Sequence, residues 1–194
     1  MGSPAWKKLL LGAIQANSHL KFSSYFQLAT VGPNGRPSNR TVVFRGFDED
    51  SDGLQISTDC RTRKIEELKF SPYAEICWYF TETWEQFRIS GRIDVIDESS
   101  PDSLKSQKRE KCWLGNSLRS KQQYLGPTPG VPLFDDQPLP YTDCTSLPVA
   151  TFCLLIMDPD RVDYYNLKKN QRVLYQLSVD SSEERCWSAE QVNP

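Results

Sequence analysis

The spacing of turn residues constrains this chain most. Short runs rich in β-branched and aromatic residues are cut at close intervals by glycine, proline, asparagine and aspartate. Residues 25–31 form one such run, and Gly32-Pro33-Asn34-Gly35 follows as strong turn chemistry. Residues 41–47 form a second, closed by the acidic turn 48–53, and residues 54–58 a third. Two longer strands are expected over 74–81 and 86–96, with Thr83-Trp84-Glu85 near the turn between them. In the second, Phe87, Ile89, Ile93 and Val95 alternate across an interruption at Gly91. Further β segments are expected over 149–157, 161–165, 172–179 and 185–192. Strands joined so tightly must pair antiparallel with their neighbours.

Helical periodicity is confined to the margins. Residues 4–17 read as an amphipathic helix opened by Pro4, with Trp6, Leu9, Leu10 and Ile14 on one side. Residues 62–70 read as a short helix with Thr62 as N-cap and Ile65 and Leu68 as its apolar side. Residues 99–125 are charged and helical, and 126–148 form a long irregular loop rich in Pro, Gly and Asp. The expected architecture is mainly β, a β-barrel with peripheral helices, as one domain over residues 1–194.

Several function classes drop out. There is no βαβ alternation, no GxGxxG and no GxxxxGK[ST], which removes the Rossmann and P-loop nucleotide sites. The six cysteines are scattered without a CxxC pair, and His19 is the single histidine. No metal site is expected from that set, nor a Ser-His-Asp triad. The cysteines read as free thiols in a reducing compartment, so a cytoplasmic protein is expected. The net charge of −2 gives no global attraction to nucleic acid or anionic membrane. No apolar run approaches the roughly 18 residues a membrane span needs. Leu9-Leu10-Leu11 is too short for a signal-peptide core, Trp6 breaks a myristoylation pattern, and the first 35 residues lack the arginines of a transit peptide. With protein-only nucleophilic chemistry poorly supplied, a borrowed cofactor becomes the expectation.

The segment Thr58-Asp59-Cys60-Arg61-Thr62-Arg63-Lys64 is the most informative. It gathers three cations at a helix N-terminus, the end that the helix dipole makes unfavourable for them. A phosphate held there by backbone N–H groups, the Thr58 and Thr62 hydroxyls and Arg63 would reverse that sign; a solvated charged turn is the other reading. Arg40 opens the strand Arg40-Thr41-Val42-Val43-Phe44-Arg45, sharing a face with Val42 and opposite in parity to Arg45. Gln86 stands where a strand begins, with an amide able to donate and accept along a heterocycle edge.

In order, these pieces resemble the pyridoxamine 5′-phosphate oxidase family. The resemblance rests on Asn34-Gly35-Arg36-Pro37, the Arg40-led strand, Thr58 to Lys64, Gln86 to Arg92 and Arg172-Val173-Leu174-Tyr175. It implies a split-barrel homodimer with flavin mononucleotide (FMN) at the subunit interface. Arg40, Arg63 and Lys64 would then hold the FMN phosphate, with Thr58 and Thr62 as hydroxyl partners. The backbone of Val42 and Val43 would approach the flavin and Gln86 its ring edge, while Tyr165 and Arg172 would come from the other subunit. The implied activity is oxidation of pyridoxamine or pyridoxine 5′-phosphate to pyridoxal 5′-phosphate with dioxygen as acceptor.

The chain departs from the family pattern around the substrate. Arg45 replaces a lysine near the flavin, and no histidine follows Tyr165, where Lys168, Lys169 and Asn170 are the residues available. Trp113 and Arg109 only partly match the family's substrate-phosphate segment. Arg45, Arg109 and Lys168 are the substrate-binding candidates, with further cations in Lys108 to Lys111 and in Arg119-Ser120-Lys121. A flavin reductase or FMN-binding sensor of the same fold is the alternative. A small barrel that stacks single-stranded nucleic acid on Trp78, Trp84 and Phe87 is a second, and a structural domain without a ligand a third.

Overall fold

The computed structural model describes residues 3–132, 146–179 and 185–194. Cys144 and residues 133–145 of the expected loop lie outside the described residues.

Among the described residues eight antiparallel strands follow one another: β1 (Tyr25–Val31), β2 (Pro37–Phe47), β3 (Leu54–Asp59), β4 (Tyr73–Phe80), β5 (Glu85–Ile96), β6 (Phe152–Asn166), β7 (Gln171–Val179) and β8 (Arg185–Val192). Their order in the sheet is β3-β2-β1-β4-β5-β6-β7-β8, and β3 also pairs with β6. That last pairing closes the first six strands into a barrel and leaves β7 and β8 as an extension. Closure satisfies the backbone groups that an open sheet edge would expose.

Strict alternation explains which faces turn inward. Phe26 and Leu28 of β1, Ile76, Trp78 and Phe80 of β4, and Phe87 and Ile89 of β5 are all buried. Helix α1 (Ala5–Ala16) buries Trp6, Leu10 and Ala13 against the same core, and the Trp6 ring lies 5.5 Å from that of Trp187 on β8. A wholly buried large side chain contributes about 2–3 kcal/mol, so α1 belongs to the core. A smaller core of Trp113, Tyr124 and Phe152 forms beneath α3 (Ser103–Gly115) and α4 (Leu118–Gln122). Each of these two helices has its own cap: Asp102 accepts from the Leu104 and Lys105 amides, and Ser117 from Ser120. The expected single helical stretch over 99–125 is therefore two helices and a 3-10 turn, broken at Asn116-Ser117.

The two β segments expected at 149–157 and 161–165 are one continuous strand, β6, starting at Phe152. The register steps from Ser90↔Arg161 to Gly91↔Pro159, so Asp160 bulges out. The bulge lets Pro159 sit inside the strand without a ladder amide. It also demands Gly91, since a Cβ there would lie 2.1 Å from the Asp158 carbonyl oxygen. None of the described helices is long and apolar enough to cross a membrane.

Candidate functional site

Helix α2 (Arg63–Phe70) follows directly from β3 and carries the cation cluster. Thr62 occupies its N-cap position, but the hydroxyl does not cap the helix. It donates to the Asp59 carbonyl at 2.7 Å and accepts from Lys64 Nζ at 2.9 Å. Lys64 Nζ also donates to Thr58 Oγ1 at 2.9 Å. Its ammonium thus rests on two neutral hydroxyls, and burial followed by the nearby Arg40 charge holds its pKa below the ordinary 10.5. Arg63 is exposed and has no hydrogen-bond or carboxylate partner among the described residues. Arg61 is committed elsewhere: it grips Asp59 through Nε and Nη2 and donates from Nη1 to the Gly126 carbonyl.

Arg40 reaches this cluster through a residue the sequence reading did not single out. Its Nη2 donates to Glu67 Oε2 at 2.6 Å, and its Nη1 to Thr30 Oγ1 at 2.6 Å. Glu67 lies one turn after Lys64 on the buried side of α2 and is only 4% exposed. It also accepts from the hydroxyls of Thr30 and Ser38. Burial alone would raise its pKa, yet these three donors lower it. A carboxylate on the apolar stripe of Ile65 and Leu68 was the available signal, because such a group must find partners.

A second group gathers around the far part of β6. Gln86 pairs with Tyr165, and Tyr165 with Arg172, in one row across β5, β6 and β7. Tyr165 bonds Asn170 at 3.2 Å, and Arg172 makes a bidentate pair with Asp163. Thr58 instead pairs with Cys153, twelve residues before Tyr165 on β6. At 3.3 Å per residue the twelve residues between the two pairings correspond to about 40 Å of strand contour. Val42 and Val43 pair with Phe26 and Tyr25.

The substrate candidates separate. Arg45 is exposed, lacks a carboxylate partner among the described residues, and lines a cleft of about 270 Å³ with Phe47, Gln55, Lys108, Cys112 and Asn116. Lys108 is held by Asp48 and Asp50, and Lys111 by Glu49. Arg109 is buried and donates to the Phe152 and Val149 carbonyls, so its guanidinium anchors the start of β6. Lys168 lies beside the Trp84 ring and donates to the Glu82 carbonyl. The nucleic-acid reading loses its stacking surface: Trp78 and Phe87 are core residues with no exposed face, and only Trp84 is exposed. The described cysteines are all free thiols.

The family model "Pyridoxamine 5′-phosphate oxidase, FMN-binding domain" matches residues 3–97. Over 191 residues the chain is 59% identical to pyridoxine/pyridoxamine 5′-phosphate oxidase 2 of Arabidopsis thaliana, covering 97% of this chain and 96% of that protein. The chain belongs to the pyridoxine/pyridoxamine 5′-phosphate oxidase family. A crystal structure of an FMN-binding protein related to this family, from Nostoc punctiforme, superimposes with a TM-score of 0.91 at 38% identity and full coverage of both chains. The match to the oxidase of Myxococcus xanthus is shorter, 33% identical over 88 residues, 45% of this chain and 42% of that protein. The family's FMN-binding domain thus takes in β1 to β5 and α2, the part that holds Arg40, Arg63, Lys64 and Gln86. The donors at α2 fit the phosphate of FMN: the Lys64 ammonium rests on two hydroxyls with no carboxylate partner among the described residues, at the start of a helix without a side-chain cap, and Arg63 in the first turn is exposed.

Proposed function

We propose that this chain, as one flavin-binding unit over residues 1–194, oxidises pyridoxamine or pyridoxine 5′-phosphate to pyridoxal 5′-phosphate. The working form is a homodimer with FMN between the subunits. The observation that carries this reading is the Lys64 ammonium, bonded to the Thr58 and Thr62 hydroxyls and, among the described residues, to no carboxylate. In this reading Lys64 and Arg63 hold the FMN phosphate together with the α2 amides, and Arg40 adds its remaining N–H groups. Glu67 offsets one of the three positive charges, leaving two to meet a dianion. The main chain of Val42 and Val43 would lie along the flavin. Gln86, Tyr165 and Arg172, which share one row across β5, β6 and β7, would meet the ring from the second subunit; their distance along β6 from the Thr58 pairing supports a site completed by another copy.

FMN, when bound, would supply the two-electron acceptor for oxidation of the substrate, with dioxygen as the final acceptor. The protein's part is to bind, orient and exclude water. Arg45 takes the substrate phosphate in the cleft it lines, since the other cations there are already paired. The burial of Arg109 leaves that phosphate with fewer ligands than the family pattern has. This favours, as a second reading, a flavin reductase or FMN sensor that takes another substrate on the same fold.

The purified protein is expected to show flavin absorption and to release hydrogen peroxide with pyridoxine or pyridoxamine 5′-phosphate. Arg63→Ala should strip FMN while leaving the fold intact. A colourless protein with no affinity for added FMN would reject the reading. Full flavin content without peroxide release would select the second.

A further inference from the structure

Four charged side chains of alternating sign cross the outer face of strands β4 to β7. Glu75 on β4 accepts from Arg88 on β5, at 3.0 Å from Nε and 2.8 Å from Nη2, and from Ser90 Oγ at 3.0 Å. Arg88 Nη1 stands 3.6 Å from Asp163 Oδ2 on β6. Asp163 then accepts from Arg172 on β7 in bidentate fashion, at 2.9 Å from Nε and 2.7 Å from Nη2. The register places these residues in this order, with Arg88 directly opposite Asp163. Asp163 is 7% exposed, whereas Arg88 and Glu75 at the far end are open to water.

An arginine side chain has many rotamers, and one near a strand end would sample several of them. The fork on Asp163 removes that freedom. It uses the Nε hydrogen and one Nη2 hydrogen, and leaves three N–H groups on the edge facing away from the carboxylate. The buried carboxylate is held ionised by Arg172 first and by Arg88 and Arg161 in support. The barrel core is built from the opposite faces of the same strands.

We propose that Asp163 is a positioning residue, fixing the Arg172 guanidinium so that its free N–H edge meets the flavin nucleotide. Arg88 and Glu75 steady Asp163 from behind. This rests on the reading that Arg172 contacts FMN.

The test is a double-mutant cycle on FMN affinity, measured by flavin fluorescence with the full chain. Arg172→Ala should raise the FMN Kd roughly tenfold. Asp163→Asn should raise it roughly fivefold in the parent and less than twofold in the Arg172→Ala background. An equal effect of Asp163→Asn in both backgrounds would show a general structural role and overturn the proposal. No effect of Asp163→Asn in the parent, with Arg172→Ala weakening binding, would also overturn it while leaving Arg172 as a ligand. If Arg172→Ala itself leaves the Kd unchanged, the reading of Arg172 as a ligand fails and takes the proposal with it. Arg172→Lys guards against a poorly folding Asp163→Asn protein: it keeps the charge but cannot fork. It should weaken FMN nearly as much as the alanine variant, and full retention of affinity would refute orientation as the cause.

Discussion

Lys64→Met should separate binding from folding. Among the described residues the Lys64 ammonium bonds only the Thr58 and Thr62 hydroxyls, and burial and Arg40 depress its pKa below 10.5. A lysine with a depressed folded pKa costs stability wherever the unfolded chain would carry the charge in water, which includes neutral pH. Methionine keeps the length of the stem and removes the charge. Two hydrogen bonds of about 1 kcal/mol each are lost, and a comparable desolvation cost is relieved. The FMN-free protein should therefore unfold in urea within about 1 kcal/mol of the parent. Affinity for FMN should fall, because a charge-assisted bond to phosphate contributes about 1.5–3 kcal/mol, or about 10- to 150-fold in Kd. Fluorescence titration and urea unfolding on the same preparations give both numbers. An unchanged Kd, or a Kd that rises only in step with lost stability, would refute the assignment of Lys64 to the phosphate.

The other predictions concern the scaffold. Glu67→Ala leaves the Arg40 guanidinium and two hydroxyls without their acceptor, and should destabilise by about 3–5 kcal/mol, lowering the melting temperature by about 6–20 °C; Glu75→Gln, at an exposed pair, should cost under about 1 kcal/mol. The lowered Glu67 pKa makes its contribution complete above the ordinary value of 4.5 and progressively lost as the pH falls below it, so Glu67→Gln should flatten the acid limb of a stability–pH profile. Gly91→Ala should lower stability by about 3 kcal/mol or expression altogether, because the new Cβ meets backbone rather than a movable side chain. Arg109→Met should destabilise by about 2–4 kcal/mol through its two carbonyl partners, and the KM for pyridoxine 5′-phosphate of the folded enzyme should stay unchanged; a raised KM would return Arg109 to the substrate.

The strands were legible because alternation and turn chemistry are local. Residues 25–31 and 185–192 are strands with the expected bounds, and β5 begins one residue before its expectation. The N-terminal helix was legible for the same reason, from apolar residues three and four apart. The link between 149–157 and 161–165 was not, because Asp158-Pro159-Asp160 reads as a turn and becomes a bulge only opposite Gly91. The cation segment at Thr58 to Lys64 announced itself by placing positive charge at the wrong end of a helix. What each cation does depends on partners far away in the chain, and that only the folded structure decides. Arg40 meets Glu67, Arg61 turns back on Asp59, Arg109 enters the second core, and Arg172 forks onto Asp163. A charged side chain reveals its sign in the sequence, but its freedom is set by the nearest opposite charge and by the water left around it. Both are properties of the closed barrel.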